Sequence, residues 1–244
     1  MARMSRLLCA AAVVGMLAAG AAAAEKAADN APKEKSKAKA AEPAYAPVED
    51  VPGLPRVLLF GDSISIGYTP IVRELLKGRA NVHRPATNCS STVVGLQSLD
   101  QWLGDTKWNV IHFNLGLHDL KYVDEKNTMV AVDKGKQWVP VDQYEKNLRQ
   151  IVQRLKKTGA KLIWCSTTPV PEGQQGRVPG DELKYNEAAA RVMKDEGVAV
   201  DDLYAFAKDR AAQIQLPKNV HFTADGSKQL AGQAVSAIEK ALAK

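Results

Sequence analysis

From residue 56 onward, short apolar runs alternate with longer stretches in which apolar residues recur every three or four positions. Short runs bounded by turn residues are typical of buried strands, and the longer spacing is typical of amphipathic helices. The short runs predict five strands, at residues 56–60, 81–84, 108–113, 161–165 and 198–200. The longer stretches predict helices at residues 70–77, 92–103, 142–157, 181–196 and 224–243. Two further apolar runs, 129–132 and 137–139, flank residues 133–136 and predict a small hairpin insertion.

Strands that alternate with helices of this length predict an α/β fold, a three-layer α/β/α sandwich around a five-stranded parallel sheet. In such folds, binding and catalytic sites form at the carboxyl ends of the strands. The polar segments that follow the predicted strands are therefore the first places to look for chemistry.

The first 24 residues have the pattern of a secretory signal peptide. Arg3 and Arg6 precede an uninterrupted run of apolar and small residues, and three alanines before Glu25 provide a cleavage site. An uncleaved membrane anchor is the alternative, because the run is near the minimum length for crossing a bilayer. We expect cleavage, and hence a periplasmic or extracellular protein without stable membrane insertion.

Residues 25–55 are rich in alanine, lysine, glutamate and proline and contain few large apolar residues. Such a segment cannot bury enough surface to offset its chain entropy, so it is predicted to be a disordered linker. The folded domain is then expected to span residues 56–244, a suitable length for one domain, which we interpret as a monomer.

Composition and charge narrow the possible functions. The 244 residues are 45% hydrophobic and 25% charged, as in ordinary soluble globular proteins. Without Arg3 and Arg6 of the predicted signal peptide, the net charge falls from +6 to +4. Residues 25–50 carry five lysines and six acidic residues, a net charge of −1. About +5 then remains on the domain, without a basic stripe interleaved with aromatic residues, so a nucleic-acid partner is not expected.

Four polar clusters carry candidate chemistry. They are Gly61-Asp62-Ser63 after the first strand, Asn88-Cys89-Ser90-Ser91-Thr92 after the second, Gly116-Leu117-His118-Asp119 after the third, and His221 before the last helix. A serine on a tight turn after a strand and a late histidine match nucleophilic acyl transfer. That reaction needs a base beside the serine and preorganised donors for the developing oxyanion.

With these clusters, the sequence resembles the SGNH, or GDSL-like, hydrolase family from residue 56 to the C-terminus. The resemblance implies a flavodoxin-like fold in which Ser63 attacks an ester carbonyl and His221 removes its proton. It also implies that the Ser63 N–H is an oxyanion donor and that water hydrolyses an acyl-enzyme. The resemblance implies small acyl esters as substrates, and acetylated carbohydrate is the most natural of these for an exported enzyme. Lysophospholipids and thioesters are alternatives within the same class.

Three positions depart from the family pattern. His118 stands where the family has an asparagine donor, and a neutral imidazole can also donate one N–H. The second block lacks its glycine, so the backbone N–H of Ser90 or Cys89 is expected to serve as the donor. Lys218 stands where the family has the aspartate of its triad. We therefore expect a Ser63–His221 dyad, with His221 oriented by a backbone carbonyl or by a carboxylate from elsewhere.

The remaining residues of the clusters are expected to support the site. Asp62 is predicted to stabilise the turn before Ser63, and Asp119 to fix the loop that it shares with Gly116 and His118. Asn88 belongs to a loop whose polar residues suit polar ligands.

Other kinds of site find little support in the sequence. No metal site is expected from the spacing of its histidines, cysteines and carboxylates, and no cofactor is expected because phosphate and dinucleotide fingerprints are missing. Cys89 and Cys165 are either free or paired after export. A non-catalytic module that binds a glycan or an acyl ligand in the same cleft is the alternative function.

Overall fold

The computed structural model describes residues 42–243, and a five-stranded parallel sheet forms their centre. The strands are Arg56–Phe60 (β1), Asn81–His83 (β2), Val110–Phe113 (β3), Tyr122–Val123 (β4), Lys136–Gln137 (β5), Lys161–Cys165 (β6) and Ala199–Asp201 (β7). The helices are Ser63–Leu75 (α1), Thr92–Leu103 (α2), Val141–Lys156 (α3), Asp181–Glu196 (α4), Leu203–Lys208 (α5), Ala211–Ile214 (α6) and Ala224–Leu242 (α7). The main sheet has the order β2-β1-β3-β6-β7 with every pair parallel. The predicted fold class is confirmed.

Helices cover the sheet on both sides because the central strands are apolar on both faces. All four residues of β3 are buried, as are residues 57–60 of β1. Helix α1 packs against α7, whereas α3 packs against both α2 and α4. A parallel sheet buried between two helical layers is the expected outcome for near-continuous apolar strands.

The register of the sheet brings the polar segments together. Phe60 of β1 lies opposite Phe113 of β3, and Phe113 lies opposite Trp164 of β6. These strands therefore end at the same level, and the segments that follow them share one edge of the sheet, where ligands bind in such folds.

Helix α1 begins seven residues before the predicted start at residue 70. Asp62 caps it, because its Oδ1 accepts the Ile64 N–H at 2.9 Å. Pro70, which was expected in the first turn, lies inside the helix instead. The cap after the first strand is thus the stronger start signal, and it places Ser63 in the first turn.

The insertion after β3 contains a two-stranded antiparallel ribbon, but its first strand differs from the prediction. Tyr122 pairs with Gln137 and Val123 pairs with Lys136, whereas residues 129–132 contribute only a single bridge from Met129 to Val123. The apolar run at 129–132 indicated the insertion but not its strand. Pairing depends on the partner, which a local pattern does not reveal.

Residues 42–55 pack on the domain, so the prediction of a disordered linker is wrong for this stretch. The segment contains a 3₁₀ turn at Pro43–Tyr45, in which Ala44 is fully buried. Asn81 accepts the Val51 N–H and donates to the carbonyls of Val51 and Leu54. These bonds satisfy backbone groups of a segment with little apolar surface of its own. The predicted leader and residues 25–41 lie outside the described residues.

Within residues 42–243, no helix is long and apolar enough to cross a membrane.

Cys89 and Cys165 are both free and buried, so they do not form the disulfide that the sequence left open.

Candidate active site

Ser63 and His221 meet at the edge of the sheet where the central strands end. Ser63 follows β1 as the first residue of α1, and His221 lies in the loop before α7. The Ser63 Oγ lies 2.7 Å from the His221 Nε2. This distance is within the hydrogen-bond reach that a general base needs to remove a proton. The two side chains approach each other across 158 residues of sequence.

Asn219 orients His221, and the sequence analysis missed it. The His221 Nδ1 lies 2.7 Å from the Asn219 Oδ1, and the His221 backbone N–H donates to the same oxygen at 3.0 Å. A backbone N–H can only donate, so the atom that faces the ring is an acceptor, and Nδ1 carries the proton. Nε2 is then free to accept the Ser63 hydroxyl proton.

The orienting group is therefore a side-chain amide, and the expectation of a backbone carbonyl or a carboxylate was wrong. Asparagine side chains commonly bond to backbone two residues ahead, and that spacing was the available signal. Lys218, one position earlier, has a φ of 54° and an exposed side chain.

Two glutamines fix the loop that carries His221. The Gln174 Oε1 accepts the Val220 N–H at 2.8 Å. The Gln215 side chain donates to the carbonyls of Pro169 and Val220. The base is therefore held by the long loop that follows β6 as well as by its own neighbours.

His118 faces Ser90 on the other side of the site. The Ser90 Oγ lies 3.2 Å from the His118 Nδ1. Burial lowers the pKa of His118 to about 3, and the positive charges of Lys121 and Arg177 act in the same direction. The imidazole is therefore neutral at physiological pH and offers one N–H donor.

Ser90 takes the left-handed backbone conformation that glycine usually provides, with a φ of 57°. Its N–H donates to the Asn88 Oδ1 at 2.9 Å. The expected Ser90 N–H donor is thus already bonded inside its own turn, so its hydroxyl is the group that faces His118.

Asp119 and Gly116 hold the loop that carries His118. The Asp119 carboxylate accepts the Thr92 N–H at 2.9 and 3.1 Å and the Thr92 hydroxyl at 2.5 Å. Burial raises the pKa of Asp119 to about 7, against the lowering effect of these bonds. Gly116 packs so closely on Thr167 that a Cβ at position 116 would overlap the Thr167 Oγ1. Both residues lie in the loop that carries His118, and their supporting role remains a prediction.

Asp62 and Arg84 support the turn that carries Ser63. Asp62 is buried and caps α1, and burial raises its pKa. Arg84, which the sequence analysis missed, donates to the carbonyls of Gly61 and Thr87. It thereby joins the loop after β1 to the loop after β2.

One group of potential metal ligands lies in the core of the described residues. His112, Cys165 and Asp201 come from three neighbouring strands, and their ligand atoms lie within 4.8 Å of one another. The His112 Nε2 already bonds to the Asp201 Oδ2 at 2.9 Å. Burial raises the pKa of the Cys165 thiol well above its usual value, which disfavours the thiolate that metals require.

Solved structures with the same fold include several esterases. The acetyl xylan esterase AlAXEase is 18% identical, with a TM-score of 0.61 over 75% of this chain and 99% of that chain. A lipase/acylhydrolase from Enterococcus faecalis is 20% identical, with a TM-score of 0.63 over 77% and 96%. Axe2, an acetylxylan esterase from Geobacillus stearothermophilus, is 17% identical, with a TM-score of 0.60 over 75% and 94%.

A comparison with curated protein sequences finds no significant match. The sequence model of the GDSL-like Lipase/Acylhydrolase family, in contrast, matches residues 59–229. That range contains Ser63, His118, Asn219 and His221. It also contains the last two residues of β1 and all of β2, β3, β6 and β7. The chain therefore belongs to the GDSL-like lipase/acylhydrolase family of ester-hydrolysing enzymes.

Proposed function

We propose that this chain is an exported serine esterase that removes small acyl groups, such as acetyl, from carbohydrate. The contact of 2.7 Å between the Ser63 Oγ and the His221 Nε2 is the observation that carries the proposal. The fold shared with acetylxylan esterases supports a carbohydrate ester as substrate. The charged and apolar pattern of residues 1–24 supports export.

In the proposed mechanism, the Ser63 Oγ attacks the ester carbonyl carbon while its proton moves to the His221 Nε2. The tetrahedral intermediate collapses, the carbon–oxygen bond to the alcohol breaks, and His221 protonates the departing alcohol. Water then attacks the acyl-enzyme with His221 again as base, which releases the acid and restores Ser63. Asn219 keeps the ring in the required tautomer throughout.

Two donors are proposed for the oxyanion. The Ser63 N–H lies in the first turn of α1, where a backbone N–H has no acceptor within the helix and the helix dipole favours negative charge. The second donor is the His118 Nε2–H, because the Ser90 hydroxyl occupies Nδ1. Ser90 then acts by orienting His118, and Asn88 acts by holding the turn of Ser90.

Hydrolysis of p-nitrophenyl acetate tests the proposal. We expect turnover by the wild-type protein and a loss of about 10³-fold or more in Ser63→Ala. Ser236→Ala, which removes an exposed hydroxyl on α7, is the matched control and should retain wild-type turnover. Equal rates in wild type and Ser63→Ala would reject the esterase and favour the non-catalytic binding module.

A further inference from the structure

The loop between β6 and α4 joins the two sides of the site. Near His221, its Gln174 side chain accepts the Val220 N–H. Near His118, its Gly176 carbonyl accepts the Tyr122 N–H, and its Arg177 Nε donates to the Leu117 carbonyl at 2.9 Å. Arg177 therefore lies in the wall of the site, beside the residue that precedes His118.

Arg177 is buried, but only some of its hydrogen-bond donors have partners. Apart from the bond to Leu117, its guanidinium forms one other hydrogen bond among the described residues, from Nη1 to the Met129 Sδ at 3.7 Å. Its remaining nitrogen has no partner among residues 42–243 and is not enclosed. Arg84 provides a contrast within the same molecule, because it is equally buried but donates to two hydroxyls and three carbonyls.

Lys121 supplies a second cation on the same loop, three residues after His118. Its Nζ lies 4.3 Å from the centre of the Trp138 ring, which places the ammonium over the indole face. The Tyr122 N–H that donates to the Gly176 carbonyl brings the neighbouring residues Lys121 and Arg177 close together, and burial and the charge of Arg177 lower the pKa of Lys121. Their charges add to the effect of burial, which lowers the pKa of His118.

Two nearby acids balance these cations only in part. Burial lowers the pKa of Arg177 and of Lys121, and the charges of Asp62 and Asp119, respectively, oppose this shift. Asp62 caps α1 through the Ile64 N–H, and Asp119 accepts from Thr92. Within the described part of the chain, neither Lys121 nor Arg177 forms an ion pair with a carboxylate. Arg177 is buried without a direct carboxylate partner, so a carboxylate that enters the site can pair with it.

We propose that Lys121 and Arg177 form an anion subsite beside His118 that binds a carboxylate of the ester substrate. The inference rests on the proposed esterase function and narrows its substrate. The proposed acyl group, such as acetyl, carries no charge, so the carboxylate belongs to the alcohol. The preferred substrate is then an acyl ester of a uronic acid. Arginine suits this role because its planar guanidinium pairs with carboxylates through charge-assisted hydrogen bonds.

Two matched substrates test the subsite: the 3-O-acetyl esters of methyl glucuronoside and of methyl glucoside, which differ only in the carboxylate. We expect a kcat/KM at least 10-fold higher for the glucuronoside, expressed mainly in KM. This preference should weaken as salt concentration rises, because salt screens charge pairs.

Substitutions of Lys121 and Arg177 test whether these residues cause the preference for the glucuronoside. Lys121→Gln should lower the ratio of the two kcat/KM values by about 3-fold or more, and Arg177→Gln should lower it further. A general loss of activity lowers both kcat/KM values equally and leaves their ratio unchanged. If Arg177→Gln fails to fold, the ratio measured for Lys121→Gln alone tests the subsite. Lys126→Gln, an exposed lysine on the same insertion, is the control and should keep the wild-type ratio.

The outcomes separate the two proposals. A wild-type ratio near or below 1, or an unchanged ratio in Lys121→Gln, would overturn the anion subsite. So would hydrolysis of p-nitrophenyl acetate without hydrolysis of either sugar ester. In these three cases the esterase activity itself stands. If none of the three esters is hydrolysed, the proposed function fails and the subsite fails with it.

Discussion

Asn219 orients His221 without adding a charge. A carboxylate at this position would both fix the tautomer and stabilise the imidazolium that forms during the reaction. The amide oxygen fixes the tautomer through its bonds to the His221 Nδ1 and backbone N–H, but it supplies only a dipole. The Ser63–His221 pair therefore depends on orientation more than on charge stabilisation.

Substitution of Asn219 tests this role. Asn219→Ala should lower kcat by about 10²- to 10⁴-fold, the usual range for impaired acid–base catalysis. Asn219→Asp preserves both acceptor bonds and should stay active. Its added charge favours the protonated ring, so the acid limb of its kcat/KM profile should move to higher pH. Wild-type activity in Asn219→Ala would contradict the assignment.

The lowered pKa of His118 is expected to make the free energy of unfolding depend on pH. Its pKa is about 3 in the folded chain, against an ordinary value of about 6.5. Between these values the unfolded chain binds a proton that the folded chain does not bind. The free energy of unfolding should therefore fall as the pH drops from about 6.5 towards 3.

The comparison of wild type with His118→Asn isolates this contribution. Urea unfolding at several pH values should show a smaller loss of stability on acidification in the variant, because asparagine does not titrate. Parallel curves for the two proteins would show that His118 titrates in the folded chain as it does in the unfolded one.

At the level of elements, the loop after β3 needs a glycine where it crosses the segment after β6. Gly116→Ala should lower the free energy of unfolding by about 1–3 kcal/mol, because the new methyl group overlaps Thr167. The second substitution Thr167→Ala should recover part of that loss, since it removes the overlapping Oγ1. Gly232→Ala on α7 is the control and should be neutral or stabilising, because its Cβ meets no other atom. Equal stability of Gly116→Ala and wild type would contradict this packing.

Local patterns predicted the regular elements better than the connections between them. The helix at residues 92–103 and the strand at 161–165 match α2 and β6 residue for residue. The early start of α1 and the first strand of the ribbon were missed, because caps and strand partners decide them. The two short helices α5 and α6 were also missed, since neither is long enough to show a helical period.

In the site, as in the fold, residues that belong to a local motif were easier to predict than residues whose roles depend on contacts distant in sequence. Ser63 and His221 were predicted because a motif and its place in the fold identify them. The roles of Arg84 and Arg177 arise only where loops distant in sequence meet, at the carbonyls of Gly61 and Leu117. Ser90 was assigned a backbone role, but its bond to Asn88 leaves the hydroxyl as the group that acts on His118.

At the scale of the whole molecule, the folded unit extends upstream of the family match. Chains that begin at Glu42 and at Arg56 should differ in stability, because only the first keeps the bonds between Asn81 and residues 51–54. Loss of about 2 kcal/mol corresponds to a drop in Tm of about 5 °C or more for a domain of this size. Equal Tm values in thermal unfolding would restore the linker interpretation of residues 42–55.

The proposed mechanism depends on Ser63 being the nucleophile that His221 activates. The most direct measurement is mass spectrometry of the protein after reaction with a fluorophosphonate, which modifies activated serines. We expect one adduct, on the peptide that contains Ser63, strongly reduced in His221→Ala and missing in Ser63→Ala. An adduct on another residue, or ester hydrolysis that persists in Ser63→Ala, would contradict it.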